Sequence, residues 1–183
     1  MYTDMQQRTD FQHINIFVFL LVFLVICGYT TVKEEGYMLI EFKFSNYRSF
    51  RDEAVLSMEA TGLGTFRKSL IEYRPAGKST NHPIHLLPAA AIYGKNGGGK
   101  SNVIRAFWLA VQFIRNAQRT QHEKAPIPVR PFLLDDTSAA EPTRFEFTYV
   151  DQGIKYIYGF AATKERVEEE YLYHAPKGQR SLV

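Results

Sequence analysis

The chain has 183 residues, 45% of them hydrophobic and 22% charged, the balance of one folded domain or of part of a larger one, which excludes a disordered or low-complexity protein. Its net charge of +3 is small and five basic residues never run together, so a basic nucleic-acid tail is excluded while a nucleic-acid-binding surface is left open. A single cysteine, Cys27, excludes an internal disulfide framework and a cysteine-built metal cluster, and it fits a reducing compartment.

The first element is apolar. Ile16 to Cys27, IFVFLLVFLVIC, is twelve apolar residues without interruption, and the uncharged stretch extends to Val32. A membrane-crossing helix needs about 20 such residues, whereas a run of about 10 to 14 is more often a signal-peptide core or a buried element. Asp4 and Asp10 outweigh Arg8 ahead of the run, and no small-residue cleavage site follows it, which argues against a secretory signal. Three readings are open: a membrane anchor through residues 16–32 placing the protein at an inner membrane, an incidental apolar arm, and an upstream extension ahead of a start at Met38. The expected division is an apolar segment over residues 1–37 and a folded domain over 38–183.

Behind Met38 the pattern turns to strands. Ile40, Phe42 and Phe44 are expected on one face, with Glu41, Lys43 and Ser45 on the other, the period-two signature of a half-buried strand. Ala54, Leu56 and Met58 repeat it after SNYRSFRDE, which predicts a hairpin. Residues 61–85 read as mostly loop, with SLIEY the one ordered stretch. LLPAAAIY, Leu86 to Tyr93, reads as a short strand in the middle of a sheet, covered on both faces, its alanines letting a helix pack close.

A helix follows, with Val103, Ile104, Phe107, Trp108, Val111 and Ile114 forming its apolar stripe. RNAQRTQHEKAPIPVRP then breaks it and leaves through three prolines. Phe145, Phe147 and Tyr149 predict the next strand, Asp151-Gln152-Gly153 a turn, and Tyr156, Tyr158 and Phe160 one face of its partner. A third strand is expected at RVEEEYLYH.

Between the alanine strand and the helix lies YGKNGGGKSN, where Gly94, Gly99, Lys100 and Ser101 satisfy the P-loop (Walker A) spacing G-x-x-x-x-G-K-[ST]. Phosphate oxygens are held best by converging main-chain N–H groups, and side chains at Gly97, Gly98 and Gly99 would block that approach. The first turn of the helix adds unpaired N–H groups and the positive end of the helix dipole. Lys100 supplies a mobile charge for the β and γ phosphates, and Ser101 a hydroxyl for Mg²⁺. The expected ligands are therefore ATP and Mg²⁺. A GTPase is disfavoured because no Asn-Lys-x-Asp is present to read guanine.

YGKNGGGKSN resembles the P-loop of the ABC-class ATPases that include the RecF, SMC and OLD groups, in which an Asn precedes the glycines, here Asn96, and Ser-Asn follows the lysine, here Ser101-Asn102. IEFKFSNYRSFRDEAVLSM resembles their first hairpin, and PFLLDD, PTRFEFTYV, YIYGF and VEEEYLY their antiparallel subdomain. The sequence is similar to bacterial proteins named AAA family ATPases or ATP-binding proteins, many found with phage-defence and restriction systems. The resemblance implies an α/β fold: the N-terminal lobe of an ABC-class P-loop NTPase, a mixed sheet with an antiparallel β subdomain after the P-loop helix. It also implies that Asn46, Arg48 and Ser49 lie near the nucleotide, Arg48 being the hairpin residue expected to bind it.

Hydrolysis needs further parts: a carboxylate that organises Mg²⁺ and a residue that positions water. In the resembled family these come with an apolar-Asp-Glu strand and an LSGG-like signature, and neither is present in the 183 residues. Asp135, Asp136 and Asp151 lie before the place where that strand is expected and are read as decoys. The expectation is a partial P-loop ATPase domain, cytoplasmic, that binds MgATP and awaits a C-terminal half or effector partner, or pairs head to head as a homodimer around ATP. The alternative is a membrane-anchored interaction protein with a vestigial P-loop.

Overall fold

The computed structural model describes residues 38–62, 67–75, 83–120, 126–175 and 181–182. The apolar run at 16–32, with its three readings, lies outside the described residues. Among the described residues no helix is long and apolar enough to cross a membrane.

The alternating segments assemble as one six-stranded sheet. Its strands are β1 (Met38–Ser45), β2 (Ala54–Ser57), β5 (Thr143–Asp151), β6 (Ile154–Ala162), β7 (Val167–Ala175) and β8 (Ser181–Leu182), in the order β2-β1-β5-β6-β7-β8. Two short strands, β3 (Ile71–Tyr73) and β4 (Ile84–Leu86), form a separate ribbon. Helix α1 spans Lys100–Thr120 and the short helix α2 spans Asp136–Ala140. Every strand pair described is antiparallel, so the architecture is mixed α/β with an antiparallel sheet, and the mixed sheet expected from the sequence is not found among the described residues.

One face of the sheet is aromatic because β1, β5 and β6 all place Phe or Tyr at alternate positions. Phe42 sits at the centre, fully buried, its ring 4.7 Å from that of Phe147 and 5.1 Å from that of Phe107 on α1. Phe44, Phe145, Tyr158 and Phe160 extend the layer, and Ala106, Ala110, Val111 and Ile114 bring α1 down onto it. Burying a ring removes about 150–250 Å² from water, so a run of them holds helix to sheet by the hydrophobic effect, with edge-to-face contacts adding about 0.5–1.5 kcal/mol each.

The tight turn between β5 and β6 follows from its residues. Asp151-Gln152-Gly153 closes the β5–β6 hairpin with Gln152 at φ 48° and Gly153 at φ 80°, the double positive φ of a type I′ turn that matches strand twist. A Cβ added at Gly153 would meet nothing within 4 Å, so its replacement carries only the conformational penalty. Gly153→Ala is expected to lower unfolding stability by about 1 kcal/mol, read from the urea midpoint at unchanged slope.

Four expectations are corrected. Ile40 does not share a face with Phe42 and Phe44: a bulge between Leu39 and Glu41 turns it to a second cluster with Tyr73, Leu86 and Val150, while Leu39 takes the aromatic side. Leu86–Tyr93 is not a buried strand. Leu86 ends β4, the N–H of Leu87 donates to Met58, and beyond it residues 88–93 make no main-chain bond among the described residues; Ala89, Ala90 and Ala91 are exposed and Tyr93 is 90% exposed. Its alanines bury too little apolar surface to draw the segment into the core without a neighbouring strand.

The α1 stripe is also narrower than its apolar residues. Phe107, Val111 and Ile114 are buried together with Ala106 and Ala110, whereas Ile104 and Trp108 lie one step around the helix, 52% and 44% exposed. Six large residues exceed the arc that one sheet can cover. Finally, the helix continues through Arg115–Thr120, because the breaking prolines, Pro126, Pro128 and Pro131, all come later.

Candidate phosphate-binding loop

Helix α1 begins at Lys100, directly behind the three glycines, and that placement defines the candidate site. The loop has little internal bonding. Gly98 N–H donates to Lys95 O at 3.1 Å, and Gly99 O accepts from Asn102 N–H (2.8 Å) and Val103 N–H (3.2 Å). The N–H groups of Gly97, Gly99, Lys100 and Ser101 have no acceptor among the described residues. A helix start with free donors and no acidic residue in its first turn has the donor set and dipole sign that suit an anion.

Lys100 completes the loop. Its Nζ donates to Gly94 O and to Lys95 O, both at 2.7 Å, so the ammonium folds over the loop it would serve. Asn96, Gly97, Gly98 and Ser101 are exposed around it. The hydroxyl of Ser101 and the unpaired N–H groups are donors and ligands of the type that a Mg²⁺-triphosphate requires, so the residues present fit that group.

The β1–β2 turn backs the loop. Asn102 Nδ2 donates to Ser49 Oγ at 2.9 Å, and a Cβ built on Gly99 would stand 3.0 Å from Phe50 Cζ and 3.2 Å from Ser49 Oγ. Gly99 is also at φ 85°. Two independent constraints therefore demand glycine there: a left-handed backbone and a ring lying where a side chain would go. The resemblance puts Ser49 near the nucleotide, and the structure sets it against this loop; Phe50 and the Ser49–Asn102 bond come from the structure alone, since no local pattern marks contacts so distant in sequence.

The other hairpin residues are placed differently. Asn46 is buried, and its amide bonds inside the protein, donating to Ser138 O and Glu141 O, both at 2.8 Å, while its Oδ1 accepts from Phe132 N–H at 2.9 Å. Arg48 Nε donates to the Tyr47 hydroxyl at 3.2 Å, with the guanidinium 5.6 Å from the centre of that ring. No described bond joins Arg48 to the phosphate loop.

Asp135 is the N-cap of α2. Its carboxylate accepts from Ser138 N–H at 2.6 Å, Thr137 Oγ1 at 2.8 Å and Ser138 Oγ at 3.0 Å. The bond from the Ser138 amide, supported by that from Thr137, lowers its pKa below the ordinary aspartate value. Asp136 points to solvent and Asp151 is buried at the end of β5. No group of three or more His, Cys, Asp or Glu stands together among the described residues. Because the folded pKa is depressed, the cap's contribution is full above the unfolded value and is lost as pH falls through the folded one. The melting temperatures of the wild type and Asp135→Ala are expected to differ at pH 6 and to converge in stronger acid.

Residues 89–183 match the family model described as "AAA domain, putative AbiEii toxin, Type IV TA system". No curated protein and no solved structure matches the chain. The matched span takes in the whole glycine loop, α1 and the β5–β8 sheet, just over half of the sequence. With a P-loop sequence at the mouth of a helix and that match across it, the chain belongs to this AAA-domain family of P-loop ATPases.

Proposed function

We propose that the chain is the MgATP-binding portion of an AAA-type ATPase of the ABC class, working in a phage-defence or DNA-associated system. The observation that carries this reading is the set of N–H groups at Gly97, Gly99, Lys100 and Ser101, without an acceptor among the described residues, beside the Lys100 ammonium at the start of a 21-residue helix. Gly94, Asn96, Gly97, Gly98, Gly99, Lys100, Ser101 and Asn102 form the nucleotide loop in this reading. Ser101 holds Mg²⁺, whose charge offsets that of the phosphates, and Arg48 reaches the nucleotide from the hairpin. The family's AbiEii toxin description supports a defence setting by analogy.

Hydrolysis in this reading needs groups supplied by further residues or by a partner, as a homodimer or a completing half. The segment at 88–93, exposed except at Ile92 and without a main-chain bond among the described residues, and the exposed Ile104 and Trp108 on α1 support a second layer contributed from elsewhere. The purified 183-residue chain is expected to bind MgATP in preference to MgGTP and to turn it over at or near the buffer rate. Robust hydrolysis that Lys100→Ala abolishes would overturn the claim that the hydrolytic groups are missing.

A further inference from the structure

We infer that the hairpin turn Asn46–Phe50 is a positioning element joining the phosphate loop to the 130–142 segment, so that nucleotide in the loop tightens that segment. The inference rests on the nucleotide reading above. On one side the turn touches the loop: Ser49 Oγ accepts from Asn102 Nδ2 at 2.9 Å, and the Phe50 ring closes against Gly99. On the other it holds the distant segment. Arg48 N–H donates to Arg130 O at 2.8 Å, Asn46 takes Phe132 N–H, Ser138 O and Glu141 O, and Thr143 Oγ1 donates to Asn46 O at 2.8 Å.

The turn itself is stiff. Tyr47 N–H donates to Phe50 O at 2.8 Å and Phe50 N–H to Tyr47 O at 2.9 Å, while Asn46 N–H donates to Arg51 O at 3.0 Å. Asn46 and Arg48 are both held at positive φ, 51° and 52°, a conformation that persists only when the surroundings fix it. A turn closed by reciprocal bonds moves as a unit, so restraint at Gly99 and Asn102 reaches Arg130, Phe132 and Ser138 through it. The segment so restrained displays Leu133 and Leu134, 72% and 86% exposed. Asn46 thereby acts as a positioning residue, not as a ligand.

The test is amide hydrogen exchange on the full chain, with and without MgATP at a concentration that calorimetry shows to be saturating for each variant. In the wild type, nucleotide is expected to slow exchange at least about 3-fold both in the P-loop peptide and in the 130–142 peptide. In Ser49→Ala the P-loop peptide is expected to keep its slowing and the 130–142 peptide to lose it. Phe50→Leu, which thins the contact on Gly99, provides a second cut with the same expected pattern should Ser49→Ala fail to fold. Nucleotide binding without slowing at 130–142 in the wild type, or equal slowing in wild type and variant, overturns the link alone. Absence of any calorimetric binding by the wild type overturns the nucleotide reading and the link with it.

Discussion

Lys100→Ala is expected to abolish measurable MgATP binding while leaving the melting temperature nearly unchanged. The two halves of this expectation have separate causes. Among the described residues the ammonium bonds to Gly94 O and Lys95 O, both on an exposed loop, so removing it uncovers no core and strands no buried partner there. Toward a triphosphate, the same group would supply charge-assisted hydrogen bonds worth about 1.5–3 kcal/mol each. Losing two of them weakens affinity by about two to four orders of magnitude. Calorimetric titration of both proteins checks the first half and thermal denaturation the second. Unchanged affinity would remove Lys100 from the site, and a large fall in stability would make its role structural.

The second large effect is expected at Gly99. Alanine there must adopt φ near 85°, which costs about 1–2 kcal/mol for a residue with a side chain. Its methyl group must also enter space 3.0 Å from Phe50 Cζ and 3.2 Å from Ser49 Oγ. Phe50 and Ser49 therefore have to give way by a few tenths of an ångström or push the loop back, which disturbs the N–H groups of Gly99, Lys100 and Ser101. Gly99→Ala is expected to lose at least about 10-fold in MgATP affinity and to melt lower than the wild type. Gly97→Ala separates the two causes. Gly97 is at φ 81°, but a Cβ there would meet nothing within 4 Å, so it is expected to bear the backbone penalty alone and to destabilise the chain less. Equal melting temperatures for the two variants would mean that the Phe50 contact carries no weight.

What the sequence made legible was local. The β5–β6 hairpin follows from alternation plus a Gly at the second turn position, and α1 from a 3.6-residue period behind a glycine loop whose spacing is itself chemical. The features that escaped it depend on neighbours. AAAIY has the composition of a central strand, but a strand needs a partner, and the described residues provide none beside it. A bulge at Ile40 exchanges the faces of the first strand residues without changing their hydrophobicity. Ile104 and Trp108 match the helical stripe as well as Phe107 does, and only the width of the sheet beneath decides which are covered.

The candidate site divides in the same way. The residues from Gly94 to Asn102 stand out in the sequence because a P-loop requires those residue types at that spacing, and the structure starts α1 at Lys100 within them. Asn46 was not, because its partners lie 86 to 96 residues away and its role is to organise carbonyls that no pattern announces. Asp135 could be mistaken for a metal ligand in the sequence, but it sits three residues ahead of Ser138, the spacing of a helix N-cap.

Main-chain amides at the start of α1, with Lys100, are proposed to form the cradle for a triphosphate. The most direct test is to follow the backbone amide resonances of the labelled chain by NMR as MgATP is added. Saturable shifts are expected to concentrate at Gly97, Gly99, Lys100 and Ser101, to recur with inorganic triphosphate and to be absent with adenosine. Saturable nucleotide binding that leaves those four amides unmoved would contradict that assignment.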